Sequence, residues 1–423
     1  MGRGGDLSTV WLLLCSDTEP VGECRYNDKE FSESFRKGVV EGDFSLKWRA
    51  VIRRRSAVLV SVLIFLTAFL ISLLFTPLFR GVAMRYGVLD HPTARKVHLT
   101  PTPLLGGLAI YAAVVFTILF FLRDVASRDP EAWYEILAMI GGCTVLVVVG
   151  VLDDRGRVDS TVKLLLAMVT SAMILAVGGV RVTAWFFVDS FKGDPILFLF
   201  FSFGLTLAWV VAITAAFSIL DHMDGLCSGI AAMASIFFFI LSLEQGLILV
   251  NALAAAILGG TLGFLRWNLN PARIFMGGCG AMLIGFIMAT LGIKLGFPGL
   301  PETQSWMIPV LILGVPIFDT ALVMVSRLRR RLVPFTAPGQ DHTAHRLANL
   351  GLSHRGAVIS LYGVGMFLGC LALLVAYRLS VGESYLLIAV LALAAIVAII
   401  ILEKAPFQRQ EKSPVPELQK GFS

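Results

Sequence analysis

Charge is scarce in this chain. Asp, Glu, Lys and Arg make up only 15% of its 423 residues, where a water-soluble domain carries about 25%. Hydrophobic residues reach 57% and the mean hydropathy is +0.82, which excludes a conventional soluble domain. The basic excess is small, +6. That suits Lys and Arg flanking a membrane and excludes a nucleic-acid footprint. Cysteine is sparse too: the six residues Cys15, Cys24, Cys143, Cys227, Cys279 and Cys370 show no CxxC spacing. A disulfide framework and a cysteine zinc site are therefore not indicated. The apolar stretch from Trp11 to Cys15 is too short for a signal-peptide core and lacks a basic flank, so no cleaved signal is expected. No internal repeat is visible.

What the sequence does have is long apolar runs. About eleven of them approach the roughly 20 residues that cross a bilayer as a helix: 56–78, 105–122, 136–152, 162–177, 196–220, 229–243, 247–265, 281–295, 307–325, 357–377 and 385–402. The boundary between the sixth and seventh rests on Glu244, Gln245 and Gly246. A helix satisfies its own backbone groups in lipid, so the expected fold is all-α, a polytopic bundle. The expected organisation is a polar N-terminal extension (1–55), the membrane domain (56–402) and a cytoplasmic tail (403–423).

Lys and Arg concentrate after the first run (Arg80, Arg85, Arg95, Lys96), after the ninth (Arg327, Arg329, Arg330, Arg331, Arg346, Arg355) and in the tail. The positive-inside rule places these segments in the cytoplasm. Arg53, Arg54 and Arg55 run against that assignment.

Five polar motifs interrupt the apolar pattern. Asp90 to His98, with Lys96 and His98, precedes a Gly106-Gly107 helix start; its cations suit a phosphate, and its ordinary reading is a positive-inside flank. Asp153 and Asp154 end the third run, a pair suited to Mg²⁺ or to a merely solvated loop. Asp221 and Asp224 end the fifth run three residues apart, with no neutralising cation nearby, which favours function over structure. Asn268 leads into the glycine loop Gly277-Gly278-Cys279-Gly280, which lets backbone approach a ligand or simply makes a tight connection. His342 and His345 share a helical face beside Arg346, a set suited to a pyrophosphate-like anion. By helix count the five motifs follow runs 1, 3, 5, 7 and 9, so all lie on one side. That placement at the membrane surface, rather than at its midplane, argues against a transporter.

In this order the motifs resemble the polyprenyl-phosphate N-acetylhexosamine-1-phosphate transferases, the MraY/WecA superfamily, from about Leu78 to the last helix. The Asp341-His342-Thr343-Ala344-His345-Arg346-Leu347 segment is closer to the WecA branch. The resemblance implies transfer of a sugar 1-phosphate, N-acetylglucosamine 1-phosphate above all, from a UDP-N-acetylhexosamine to undecaprenyl phosphate. UMP would be released, in cell-envelope polysaccharide synthesis. It implies Mg²⁺ with Mn²⁺ as the alternative, a bacterial inner-membrane location with the site on the cytoplasmic face, and it allows a homodimer. On this resemblance Asp153, Asp154, Asp221 and Asp224 are catalytic, and Asp153, Asp154 and Asp221 hold metal. Asp90, Lys96, His98, Asn268, His342, His345 and Arg346 bind substrate. Three positions depart from the family pattern: Ala215 and Ser218 stand for two Asn, and Gly278 stands for a metal-binding Asp. An active transferase and a homologue that binds lipid phosphate or nucleotide-sugar without turnover both remain open. The topology is checked directly: a reporter active only outside the cytoplasm, fused at Pro338, is expected to stay silent, and a strong signal overturns the one-sided arrangement.

Overall fold

The computed structural model describes residues 43–90, 101–128, 132–155, 161–183, 193–332, 339 and 341–404. Lys96 and His98, most of the expected N-terminal extension and nearly all of the expected tail lie outside the described residues. Two compact units separate at Ser56 and Ala57; the account below concerns the second.

The helices in chain order are α1 (Asp43–Arg85), α2 (Gly106–Arg128), α3 (Ala132–Asp154), α4 (Thr161–Val177), α5 (Pro195–Leu220), α6 (Leu226–Gln245), α7 (Ile248–Asn268) and α8 (Gly277–Lys294). They continue with α9 (Glu302–Ser305), α10 (Met307–Ile312), α11 (Gly314–Arg329), α12 (Thr343–Asn349), α13 (His354–Tyr377) and α14 (Val381–Lys404). Among the described residues eight helices are long and apolar enough to cross a membrane, nine if a bent pair counts as one span. Two shorter apolar helices, Gly106–Phe121 and Leu165–Val177, occupy the remaining expected runs. The chain is thus a multi-pass helical membrane protein.

Two details differ from the sequence expectation. The ninth run is not one helix: Glu302–Ile312 and Gly314–Arg329 meet at 76°. Pro316 has no N–H to give the Ile312 carbonyl, and its ring crowds that carbonyl, so the helix breaks there. The fold also contains a small antiparallel ribbon, β1 (Leu89–Asp90) with β2 (Thr102–Pro103), pairing Leu89 with Pro103 and Asp90 with Thr102. The sixth and seventh spans part where expected: Gly246 adopts φ 69° after α6 and its N–H caps the Leu243 and Ser242 carbonyls.

Burial sorts the helices into a centre and a rim. The apolar windows of α8, α7 and α6 are 83%, 78% and 72% buried, against 6% for α14. The centre therefore reads as apolar all round, as a helix enclosed by other helices must. Small residues let the backbones close on α8. A Cβ on Gly107 would lie 2.3 Å from the Gly280 backbone, and a Cβ on Gly150 would lie 2.4 Å from Cys279 Cα. Such contacts replace the hydrophobic drive that lipid does not supply. They also fix the end of the bundle where the acids lie, because Gly150 lies one turn before Asp153 and Asp154.

Gly150→Ala is expected to lower the thermal transition in detergent by an amount corresponding to about 1–3 kcal/mol, the cost of overpacking against backbone. Gly204→Ala, where a Cβ meets nothing within 4 Å, is the matched control and is expected to leave the transition in place.

Candidate functional site

The loops after the first, third, fifth, seventh and ninth apolar runs meet at one end of the bundle. The Phe275 N–H donates to the Pro103 carbonyl at 2.8 Å, and Gly106 and Gly107 donate back to Phe275 and Met276 at 3.0 and 2.8 Å. Arg80 Nε donates to the Arg273 carbonyl at 3.1 Å. Arg355 donates to Asn270 Oδ1 and to the Asn270 carbonyl at 3.0 and 2.7 Å. The loop 269–276 is the hub of these contacts.

The acidic half of the site forms where α3 ends against the start of α8. Gly277 takes φ 74°, a conformation glycine adopts without a Cβ penalty. A Cβ there would also strike Asp154 Oδ2 at 2.5 Å. The next residue, Gly278, donates its N–H to Asp154 Oδ1 at 2.9 Å. Asp154 thereby accepts one of the free amides that every helix start presents. Its other oxygen, Oδ2, is buried with no hydrogen-bond partner among the described residues. A Cβ added at Gly278 would stand 3.5 Å from Asp154 Oδ1 and 3.8 Å from Asp153 Oδ2. The position that departs from the family pattern therefore faces both carboxylates.

Asp221 follows α5 and completes the acidic group. Removal from water first, then the Asp154 and Asp224 charges, push its carboxyl up to about 7. Asp224 is turned to the hub loop: its Oδ2 accepts from Asn270 Nδ2 and from the Ala272 N–H, both at 3.0 Å. Asn268 is 4% exposed and works within the protein. Its Oδ1 accepts the Gly225 N–H at 3.0 Å and its Nδ2 donates to the Ile274 carbonyl at 3.0 Å. Asp90 lies half-buried in β1, opposite Thr102.

The second half of the site is a histidine cluster. The rings of His222 and His342 stack at 4.0 Å with 22° between planes, and His345 stands 5.0 Å from His222 and 6.2 Å from His342. Burial, reinforced by His342, lowers His222 well below the usual imidazole range and brings His345 down to about 4. Both are neutral at pH 7, so they offer hydrogen bonds rather than charge. Asp319 of α11 accepts from His342 Nδ1 at 3.1 Å and from the Thr343 N–H at 2.7 Å. Burial raises the Asp341 carboxyl, but Arg327 more than offsets this and holds it below the ordinary range. Arg327 and Arg330 clasp that carboxylate at 3.0 and 2.8 Å.

Arg346, expected on the ligand, is 4% exposed and makes four hydrogen bonds inside the protein. They run to the Asp341 carbonyl (2.9 Å), the Leu402 carbonyl, Ser326 Oγ and Glu403 Oε1 (each 2.6 Å). It fastens α12 to the end of α14. The structure thus brings Asp153, Asp154, Asp221, Asp224, Asn268, His342, His345 and Arg346 to one end of the bundle. The sequence reading assigned no role to His222 or Asp319. Asp319 carried a usable signal, a carboxylate inside an apolar run. His222 carried none, since its meaning depends on a loop more than a hundred residues away.

Asp221 sets a pH dependence. Its folded-state value lies above its unfolded value of 3.8, so the folded chain holds a proton there that the unfolded chain releases. That contribution to stability is lost as pH rises from about 4 to about 7. Asp221→Asn is therefore expected to gain stability relative to the parent across that window in metal-free detergent, and to hold a constant advantage above it. Thermal melting of both proteins along a pH series measures the difference.

The comparisons agree with this geometry. The sequence profile of "Glycosyl transferase family 4" matches residues 136–296. A probable undecaprenyl-phosphate N-acetylglucosaminyl 1-phosphate transferase of Bacillus subtilis (strain 168) is 33% identical over 304 residues, covering 72% of this chain and 82% of its own. A decaprenyl-phosphate N-acetylglucosaminephosphotransferase of Mycolicibacterium smegmatis is 30% identical over 377 residues, 82% of this chain and 90% of its own. An undecaprenyl-phosphate alpha-N-acetylglucosaminyl 1-phosphate transferase of Escherichia coli (strain K12) is 26% identical over 331 residues, 76% and 86% of the two chains. With similarity at that level along most of its length, the chain belongs to glycosyl transferase family 4.

Proposed function

We propose that this protein transfers N-acetylglucosamine 1-phosphate from UDP-N-acetylglucosamine to undecaprenyl phosphate at the cytoplasmic face of a bacterial inner membrane, releasing UMP. The observation that carries the reading is the convergence of Asp153 and Asp154 on the Gly278 backbone, at the end of the bundle that also gathers the histidine cluster. The relatives' names supply the substrate class. The lipid substrate suits a membrane bundle, because its tail leaves the bilayer only at roughly 0.8 kcal/mol per exposed methylene.

The donor set fits Mg²⁺. Hard carboxylate oxygens are its preferred ligands, and the buried, unpartnered Oδ2 of Asp154 is an acceptor in need of a cation. Asp153, Asp154 and Asp221 would hold it. When bound, Mg²⁺ neutralises diphosphate charge. An oxygen of the lipid phosphate attacks the β-phosphorus of the UDP-sugar, the new P–O bond forms, and the bond to UMP breaks. Such a reaction needs positioning and charge stabilisation more than covalent help from the protein.

The chain's residues divide that work. Asp154 is locked in place by the Gly278 N–H. Asp224 and Asn268 hold the hub loop around the acids. His342 and His345 donate hydrogen bonds to the departing UMP phosphate, and Arg346 keeps their loop in register. Lys96, with Asp90 and His98, would steady the phosphates.

Gly278→Asp tests the site at its point of departure. The backbone there is not in the left-handed region, and the Cβ position lies at ordinary contact distance, so the substitution is accommodated. It adds a carboxylate beside Asp153 and Asp154. The expected outcome is faster UMP release and a lower Mg²⁺ concentration for half-maximal rate, measured in detergent with undecaprenyl phosphate. A folded variant with neither change favours binding without turnover.

A further inference from the structure

Asp319 is an acid in an apolar helix, 1% exposed. A buried carboxylate is costly unless both oxygens are used, and here both are. Oδ1 accepts the Thr343 N–H at 2.7 Å and Oδ2 meets His342 Nδ1 at 3.1 Å. A carboxylate can only accept, so His342 must carry its proton on Nδ1. That leaves Nε2 of His342, which has no hydrogen-bond partner among the described residues. The stacked His222 ring fixes the plane of the imidazole from one side, and His345 stands 6.2 Å away.

We propose that Asp319 is a positioning residue for the transfer: it holds His342 by Nδ1–H and balances the charge of a second proton carried on Nε2 when the ligand is bound, so that His342 Nε2–H donates to the phosphate of the departing UMP. The inference rests on the transferase reading above. The arrangement is the general one in which a carboxylate orients an imidazole whose far nitrogen does the work.

The same residues permit another occupant. Ligand atoms of His222, Asp319 and His342 lie within 4.8 Å of one another, close enough to hold a metal ion. The ring geometry opposes it. Rings stacked with 22° between planes direct their in-plane lone pairs side by side, whereas two imidazoles on one ion must point them at a common centre.

Asp319→Asn discriminates. Its oxygen stays on the Thr343 N–H and its amide then faces Nδ1, so His342 loses both its Nδ1–H partner and the balancing charge and is left a neutral donor at Nε2, weaker than the charged one. Four full-length proteins are compared in detergent: the parent, Asp319→Asn, His342→Gln and the double variant. Folding is checked by elution and melting. With UDP-N-acetylglucosamine, undecaprenyl phosphate and Mg²⁺, Asp319→Asn is expected to lower kcat by about tenfold or more while KM for the UDP-sugar changes by less than about threefold, because the interaction strengthens as charge reaches the leaving group. The double variant is expected to be no slower than His342→Gln. Thermal protection by UMP, read without turnover, is expected to fall equally in all three variants. Losses that multiply in the double variant overturn the proposal, as does a parent that UMP fails to protect. A stoichiometric transition metal on the parent that Asp319→Asn loses also overturns it. A parent that releases no UMP but shows the non-additive UMP protection defeats the transferase reading and leaves the Asp319–His342 coupling standing.

Discussion

The hydrogen bond from the Gly278 N–H to Asp154 joins two helices whose ends would otherwise be independent. It exists because α3 and α8 approach without side chains between them, Gly150 lying against Cys279 and Gly277 turning through a left-handed conformation. The free amides at the start of α8 carry the positive end of its dipole. Asp154 meets that end, so the fold itself offsets part of the repulsion among Asp153, Asp154 and Asp221. Without this contact three acids would face one another at the edge of a low-dielectric bundle, and the loop 269–276 would lose the surface it is built on.

The apolar helices were legible in the sequence because lipid demands an apolar stretch of fixed length; among the described residues eight of the eleven expected runs are helices long enough to cross, a ninth is the bent pair, and two are shorter apolar helices. The single-sided grouping of the motifs followed from counting them. The 76° break at Leu313 was less legible, since Pro309 and Pro316 sit in a run that hydropathy alone marks as one helix. The acids were found because charge at a membrane helix end calls for explanation. The inward use of Asn268 and Arg346 was not: both sit in motifs that suggest a ligand, and only the fold shows their hydrogen bonds closing on Ile274, Gly225, Leu402 and Glu403. His222 escaped because it acquires meaning from His342, which the fold alone brings to it; Asp319 stood out as a carboxylate in an apolar run, and only its partners were hidden.

The two halves of the site differ in the kind of electrostatics they offer. The acidic half concentrates negative charge and has an acceptor left over, which suits a cation. The histidine half is built from rings that burial keeps neutral at His222 and His345, flanked by an Asp341 already neutralised by Arg327 and Arg330. In the proposed reaction such a surface would take the leaving phosphate through directed hydrogen bonds without holding it by net charge. A leaving group bound in that way can also depart, which a clamp of unpaired arginines would oppose.

Gly278 sharpens this contrast. A carboxylate at that position would stand within contact of Asp153 and Asp154, at the start of the most buried helix in the bundle. With glycine the acidic group is one charge poorer, and the Gly278 N–H is the donor that Asp154 keeps. In the proposed reaction this shifts the balance from binding a cation strongly in the empty site toward binding it jointly with a diphosphate, whose oxygens would supply the missing hard ligands. Substrate and cation would then depend on each other for affinity. On that proposal glycine at 278 changes the order and strength of assembly at the site and leaves the geometry that α3, α5 and α8 impose on the remaining acids.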